Sequence, residues 1–314
     1  MVKTVSSERS TIAREPSAHS GMRVADLVSR VASRVAANGE IDDPVREARD
    51  IIAALVDAPR HWAIVNSGEP LDHALAQRAL EAGERRGRGA PLAYAVGRAA
   101  FRAFTLDVDQ RVLIPRPETE LLVEIVLRHF RARAGGVVVD VGTGSGAIAI
   151  ALAKEGRFDR VVGTDISSDA LAVASANAAR IGALVEFRSG DLLRAWDQPG
   201  AKRRGPRAEA EAVVSNLPYI SFAEMRELPR TVRDWEPAIA LFSGDDGLAL
   251  TTKLVRQAAA RLAPHGLLAL EVDARRASLV ADLVGADHRF ANVAVHLDLA
   301  GRERFVLATR RESR

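Results

Sequence analysis

Val137-Val138-Val139-Asp140-Val141-Gly142-Thr143-Gly144-Ser145-Gly146 decides how this chain is read. An apolar β-branched run ending in an acid and a glycine-rich turn is the pattern of a buried parallel strand that empties into a ligand-binding loop ahead of a helix. Outward from it the pattern alternates βα, which predicts an α/β fold with a parallel sheet covered on both faces. Strands are expected near 137–141, 161–165, 185–189, 211–215, 266–272, 292–296 and 303–309. Helices are expected near 146–155, 168–181 and 247–263. Between them, 194–210 carries Lys202, Arg203, Arg204, Gly205 and Pro206 and reads as a solvated surface loop.

The glycine loop has two readings. Gly142, Gly144 and Ala147 satisfy a relaxed dinucleotide fingerprint, and Asp165 stands near where a ribose-binding acid belongs, so a nicotinamide dehydrogenase is one of them. The acid before the glycines and the early third glycine favour the other. S-adenosyl-L-methionine has no pyrophosphate to rest on a helix N-terminus but has a zwitterionic methionine end, which an acid and close backbone approach suit. Asp140, Gly142, Thr143, Gly144, Ser145 and Gly146 are therefore expected to hold the donor. Asp165, closing the strand Val161-Val162-Gly163-Thr164-Asp165, has the two oxygens needed for both ribose hydroxyls, while Ser167, Ser168 and Asp169 supply helix-capping chemistry without it. Asp191 in Ser189-Gly190-Asp191-Leu192 is a candidate acceptor for an adenine amino group with Leu192 against the ring, or else a turn former.

A second segment, Val213-Val214-Ser215-Asn216-Leu217-Pro218-Tyr219, is a strand running into a stiff polar turn. Asn216 offers a side-chain carbonyl, Leu217 a backbone carbonyl and Tyr219 an aromatic face, a set suited to a planar NH2 group. Asn216, Leu217, Pro218 and Tyr219 are the expected catalytic and substrate-binding residues. The pair of segments points to methyl transfer onto nitrogen.

The rest of the chain sets the frame. Its 314 residues, 47% hydrophobic, allow two domains. With 44 basic and 41 acidic residues the net charge is only +3, which permits an acidic or RNA-rich partner without demanding one. The absence of cysteine excludes disulfides and thiolate metal sites and is compatible with a reducing cytoplasm. The seven histidines have no ligand spacing, so no metal is expected. No apolar stretch approaches the roughly 20 residues that span a bilayer.

Residues 1–21 lack the apolar core of a secretory signal and read as a disordered tail, and Glu8 and Glu15 disfavour a transit peptide. Over 22–90 the spacing of Val24, Leu27, Val28 and Val31, and of Ala48, Ile51, Ile52 and Leu55, predicts a helical domain, one helix starting at Asp42-Asp43-Pro44. Arg85, Arg86 and Arg88 read as a solvated helix end, and direct nucleic-acid binding is not expected. Residues 91–114 alternate as a β-hairpin linking this domain to a catalytic domain over 115–314. Pro115-Arg116-Pro117-Glu118-Thr119-Glu120 then opens a helix.

Taken with Val112 to Glu120, Glu236-Pro237-Ala238-Ile239-Ala240-Leu241, Gly244-Asp245-Asp246-Gly247-Leu248 and Asp298 to Arg304, these motifs resemble the bacterial N5-glutamine methyltransferases that modify peptide chain release factors. The resemblance runs from about Met22 to Arg310. It implies a seven-stranded, mostly parallel doubly wound sheet of the S-adenosylmethionine-dependent methyltransferase fold behind an N-terminal helical domain that helps hold the release factor. It also implies a donor bound by Gly142 to Gly146, Asp165, Leu192 and Asn216, and a cytoplasmic enzyme acting on the glutamine of a Gly-Gly-Gln tripeptide held by Asn216 to Tyr219.

Three departures stand out: Leu217 where the family has proline, Glu271 to Arg276 where it has Gly-x-x-Gln, and Glu211 where it has Asp. Asn-Leu-Pro-Tyr also resembles the turn of ribosomal RNA adenine dimethyltransferases, which makes adenine N6 of rRNA or DNA the rival acceptor. Two further readings are methylation of a ribosomal-protein glutamine and a noncatalytic binding module that keeps the fold.

Overall fold

A computed structural model describes residues 21–197, 209–244 and 246–312. The tail expected at 1–21, save Gly21, and most of the basic loop at 194–210 lie outside the described residues. The chain divides into two compact units, Met1–Gly87 and Arg88–Arg314.

In the first unit the apolar periodicity becomes α1 (Val24–Val35), α2 (Pro44–Leu55), the short α3 (Trp62–Val65) and α4 (His73–Gly87). Val24, Leu27, Val31 and Val35 share one stripe of α1 and are fully buried, as are Ile51 and Ile52 of α2. Asp43 caps α2 by accepting from the Arg46 amide at 2.9 Å, with Pro44 in the first turn. The all-helical reading misses one feature: β1 (Met22–Arg23) pairs antiparallel with β2 (Pro70–Leu71), two residues each, too short for any periodicity to show. Arg86 is not simply solvated either. Its guanidinium meets Glu47 of α2 at 3.1 Å with both side chains largely buried.

The second unit opens with α5 (Leu92–Val96) and the antiparallel hairpin β3 (Arg98–Phe101) and β4 (Phe104–Asp107). This segment, expected as a linker, also supplies core: Phe101 and Leu106 are buried among Leu122, Ile150 and Leu152. There follow α6 (Pro117–His129), β5 (Val137–Val141), α7 (Ala147–Glu155), β6 (Arg160–Asp165), α8 (Ser168–Ile181), β7 (Glu186–Ser189), β8 (Ala210–Asn216), α9 (Arg230–Arg233), α10 (Ala249–Ala259), β9 (Leu262–Glu271), α11 (Ala277–Gly285), β10 (Phe290–Leu297) and β11 (Glu303–Arg310). Two boundaries differ from expectation, since α10 ends at Ala259 and β9 starts at Leu262. The early part of β9 is irregular, with His265 at φ 63° ahead of Gly266 and a register shift against β8. The nine-residue α11, with Ala277, Val280 and Val284 buried, is too short to stand out from the sequence.

Seven strands form one sheet in the order β10-β11-β9-β8-β5-β6-β7. The pairs β9–β8, β8–β5, β5–β6 and β6–β7 are parallel, and β11 lies antiparallel between β9 and β10. Successive residues of a strand face opposite sides, so Val138, Val161, Ala212 and Val214 enter one core while Val139, Val162 and Val213 enter the other. Both faces are covered, which is why these strands are apolar at most positions on either face. The chain leaves β5 toward β6 and β7, then returns to place β8 on the other side of β5. A crevice opens at such a reversal, beyond the carboxyl ends of the strands, and here those ends are the glycine loop and the Asn216 turn.

Candidate active site

The glycine loop owes its shape to backbone angles. Gly142, Gly144 and Gly146 have φ of 74°, 55° and 84°, a region L side chains rarely adopt. A Cβ at Gly142 would lie 3.0 Å from the Leu217 side chain, and one at Gly146 would press on Ile150 and Ala174. A Cβ at Gly144 would meet nothing, because that residue borders the cavity.

Gly142, Thr143, Gly144 and Ser145 line a cavity at the switch point, and Asp165, Asp191, Leu192, Asn216, Leu217 and Pro218 line it with them. Three of the expected site residues do not. Gly146 turns inward as the N-cap of α7, and Tyr219 lines a second cavity. Asp140 is fully buried beneath the loop, where one oxygen accepts from the Thr143 hydroxyl at 2.6 Å and from the Ala149 amide at 3.1 Å. It clasps the loop to α7. Its other oxygen has no hydrogen-bond partner among the described residues, and burial pushes the carboxyl up to about 7.

Asp165 closes the loop from the next strand, accepting from the Gly144 amide at 3.0 Å and the Ser167 amide at 2.9 Å. Capping of α8 falls to the Ser167 hydroxyl, which accepts from Ala170. An ionised carboxylate has about four lone-pair sites, so Asp165 retains acceptor capacity toward the cavity. Asp191 is ion-paired with Lys253 of α10, a partner that no local pattern marks, and Leu192 beside it sits at φ 52°.

Asn216 stands at the end of β8 with its Nδ2 donating to the Thr119 hydroxyl of α6 at 3.1 Å. The turn it begins is a shared wall, because Asn216, Leu217 and Pro218 border both cavities. The second cavity is completed by Tyr219, Glu224, Asp273 and Arg304. Burial, with Glu271 nearby, pushes the Tyr219 hydroxyl up to about 12.

Sequence reasoning misses several supports. Arg116 lines both cavities and holds the buried Glu236 at 2.6 Å, tying two motifs 120 residues apart. Asn177, fully buried in α8, donates to the carbonyls of Ser145 and Asp107 at 3.0 Å and so braces the glycine loop against the hairpin. Its one signal is an amide on the apolar face of a helix. Among the described residues no cluster of His, Asp or Glu is placed to hold a metal ion, and no helix is long and apolar enough to cross a membrane.

The seven-stranded sheet, with β11 antiparallel between β9 and β10 and a glycine-loop cavity at its switch point, is that of the S-adenosylmethionine-dependent methyltransferases. Residues 138–235 match the family model described as "Methyltransferase domain", and residues 26–97 match the one described as "PrmC N-terminal domain". The chain is 39% identical over 293 residues to the release factor glutamine methyltransferase of Moorella thermoacetica, spanning 93% of this chain and 100% of that one. It is 36% identical over 290 residues to the protein so named from Deinococcus radiodurans, spanning 92% and 99%. Among solved structures, a methyltransferase from Pyrococcus furiosus is similar with a TM-score of 0.47 and 16% identity over 66% of this chain and 89% of that one. The chain belongs to the release factor glutamine methyltransferase family.

Proposed function

We propose that this chain methylates N5 of the glutamine in the Gly-Gly-Gln motif of peptide chain release factors, with S-adenosyl-L-methionine as donor, in the cytoplasm. The observation that carries the reading is the wall formed by Asn216, Leu217 and Pro218 between two cavities. One cavity has the features a nucleoside with an amino-acid tail needs: a glycine turn that allows close approach, the Asp165 carboxylate for a ribose, and the Asp191–Leu192 pair for a base. The other is flanked by Tyr219 and opens on the far side of the same carbonyl-rich turn. The donor supplies a methyl group on a positively charged sulfur.

An amide nitrogen is a poor nucleophile because its lone pair is delocalised into its carbonyl, and removing its proton beforehand is unfavourable at neutral pH. What the protein must supply is orientation. Asn216 Oδ1 and the Leu217 carbonyl accept the two N–H groups of the substrate amide, aim the nitrogen's lone pair past the shared turn at the donor methyl, and stabilise the positive charge that grows on nitrogen. The new N–C bond forms as the S–C bond breaks, and the extra proton leaves afterwards. Tyr219 packs against the planar amide.

Tandem mass spectrometry of purified release factor and rRNA after incubation with the enzyme and donor tests this. One methyl group on the Gly-Gly-Gln glutamine is expected, whereas methylated adenine with an unmodified release factor selects the rival acceptor. The helical unit is assigned to holding the release factor. Removing residues 1–87 should leave donor binding intact and depress kcat/KM on intact release factor, and an unchanged kcat/KM refutes that role.

A further inference from the structure

Asn216 can orient a substrate NH2 only if its own oxygen, and not its own NH2, faces the substrate. The two ends of a carboxamide have nearly the same shape, so packing alone cannot choose between them; hydrogen-bond polarity must. Register places Asn216 of β8 directly beside Glu271 of β9 in the parallel ladder, which puts the two side chains on one face of the sheet. Thr119 of α6 lies over them, 5% exposed, and Glu271 is 4% exposed and borders neither cavity.

A hydroxyl has one proton to give. Burial raises the Glu271 carboxyl to about 7, and above that pH the ionised group can only accept, so it claims the Thr119 proton, an interaction that favours its charged form. Thr119 then presents lone pairs to Asn216, and the asparagine meets them with Nδ2 at 3.1 Å. Its Oδ1 is left for the substrate. The family's known turn begins at Asn216, and the selection begins behind it.

We infer that Thr119 and Glu271 are positioning residues that fix which face of the Asn216 amide the substrate meets, an inference that rests on the glutamine-methylating reading above. Without them Asn216 turns over freely, and its NH2 confronts the substrate NH2, donor against donor.

Thr119→Val and Thr119→Ser separate this from packing, because valine keeps the volume and loses the hydroxyl while serine does the reverse. A packing role ranks valine above serine; polarity ranks serine above valine. Orientation loss in Thr119→Val should lower kcat on release factor by about 10- to 100-fold, the scale of a misplaced reacting group. Donor Kd should stay within about two-fold, since the lost interaction acts in the transition state and not in donor binding. Thr119→Ser should restore most of kcat. Glu271→Gln, which can accept from Thr119 or donate to it, should fall between the two. An active wild type with valine at or above serine, or with kcat and donor affinity falling together, overturns the inference alone. A wild-type enzyme that leaves the release-factor glutamine unmodified overturns the functional reading and this inference with it.

Discussion

The glycine loop and the Asn216 turn stand side by side over the sheet, yet they are held in opposite ways. The loop takes its shape first from its own residues, three glycines at positive φ with Asp140 near the end of β5 fastening Thr143 three residues on, and Asp165 and Asn177 then brace that shape from neighbouring elements. The turn is shaped by other elements: α6 holds Asn216 through Thr119, β9 sets Glu271 beside it, and the Arg116–Glu236 pair ties the surrounding segments. A site for a donor of fixed shape is built from backbone. A site that must discriminate one polarity of amide is built from side chains whose hydrogen-bond directions are set at a distance.

The largest test of that division falls on the turn. Asn216→Ala removes the carbonyl proposed to meet charge developing on nitrogen, and kcat should drop by about 10² to 10³, as when one preorganised transition-state contact is lost. Isothermal calorimetry should show donor affinity changing far less. A donor Kd that weakens as much as kcat would place Asn216 on the loop's side of the comparison.

Next comes the loop's cross-strand tie. Asp165→Ala loses the bonds to the Gly144 and Ser167 amides together with the expected ribose acceptor, so donor binding should weaken by about 1.5–3 kcal/mol, the worth of a charged hydrogen bond. Turnover at saturating donor should fall much less. NAD binding in place of the donor would overturn the nucleoside assignment.

The same contrast explains what can be read from sequence alone. The central sheet strands are legible as short apolar runs and the edge strands β7 and β10 by their place in the βα alternation and their strand-period pattern, and Gly142 to Gly146 is legible because its conformational demand is written in consecutive residues. Asp140 stands out in the sequence, but its role differs from the expected one. An acid before glycines suggests a ligand contact, whereas burial under the loop makes it a clasp. Thr119 and Lys253 carry no local mark, and Asn177 only that of an amide on an apolar helix face. They matter through partners on other elements, between 32 and 97 residues away in the chain.

Asp140 offers a way to sharpen the loop's side. Its folded-state pKa is raised from 3.8 to about 7 by burial, so the folded chain holds a proton the unfolded chain releases. The stability it contributes is fully present below about pH 4 and is lost as pH rises through 7. Glu271, raised from 4.5 to about 7, adds a slope of the same sign. Asp140→Asn cannot titrate. The Tm of the wild type relative to this variant should therefore fall between pH 4 and 7 and level off above, as followed by thermal melts across that range. A difference that stays flat would mean the carboxylate is ionised throughout and the loop is clasped by charge.

The smallest effect is expected at the family's departure, Leu217. Its backbone carbonyl is the group the proposed mechanism uses, and proline keeps that carbonyl while fixing φ and giving up only the amide hydrogen. The residue before it ends a strand, the extended conformation that a following proline favours. Against this stands packing: Leu217 is buried, and its Cδ2 lies where a Gly142 Cβ would be crowded, so it also supports the loop from below. Leu217→Pro should hold kcat within about five-fold of wild type, a change of under about 1 kcal/mol in the barrier. The lost leucine packing should appear instead as a lower Tm and slightly weaker donor binding. If kcat on release factor collapses while donor affinity is kept, the turn depends on the leucine itself, and the two halves of the site meet at this one side chain.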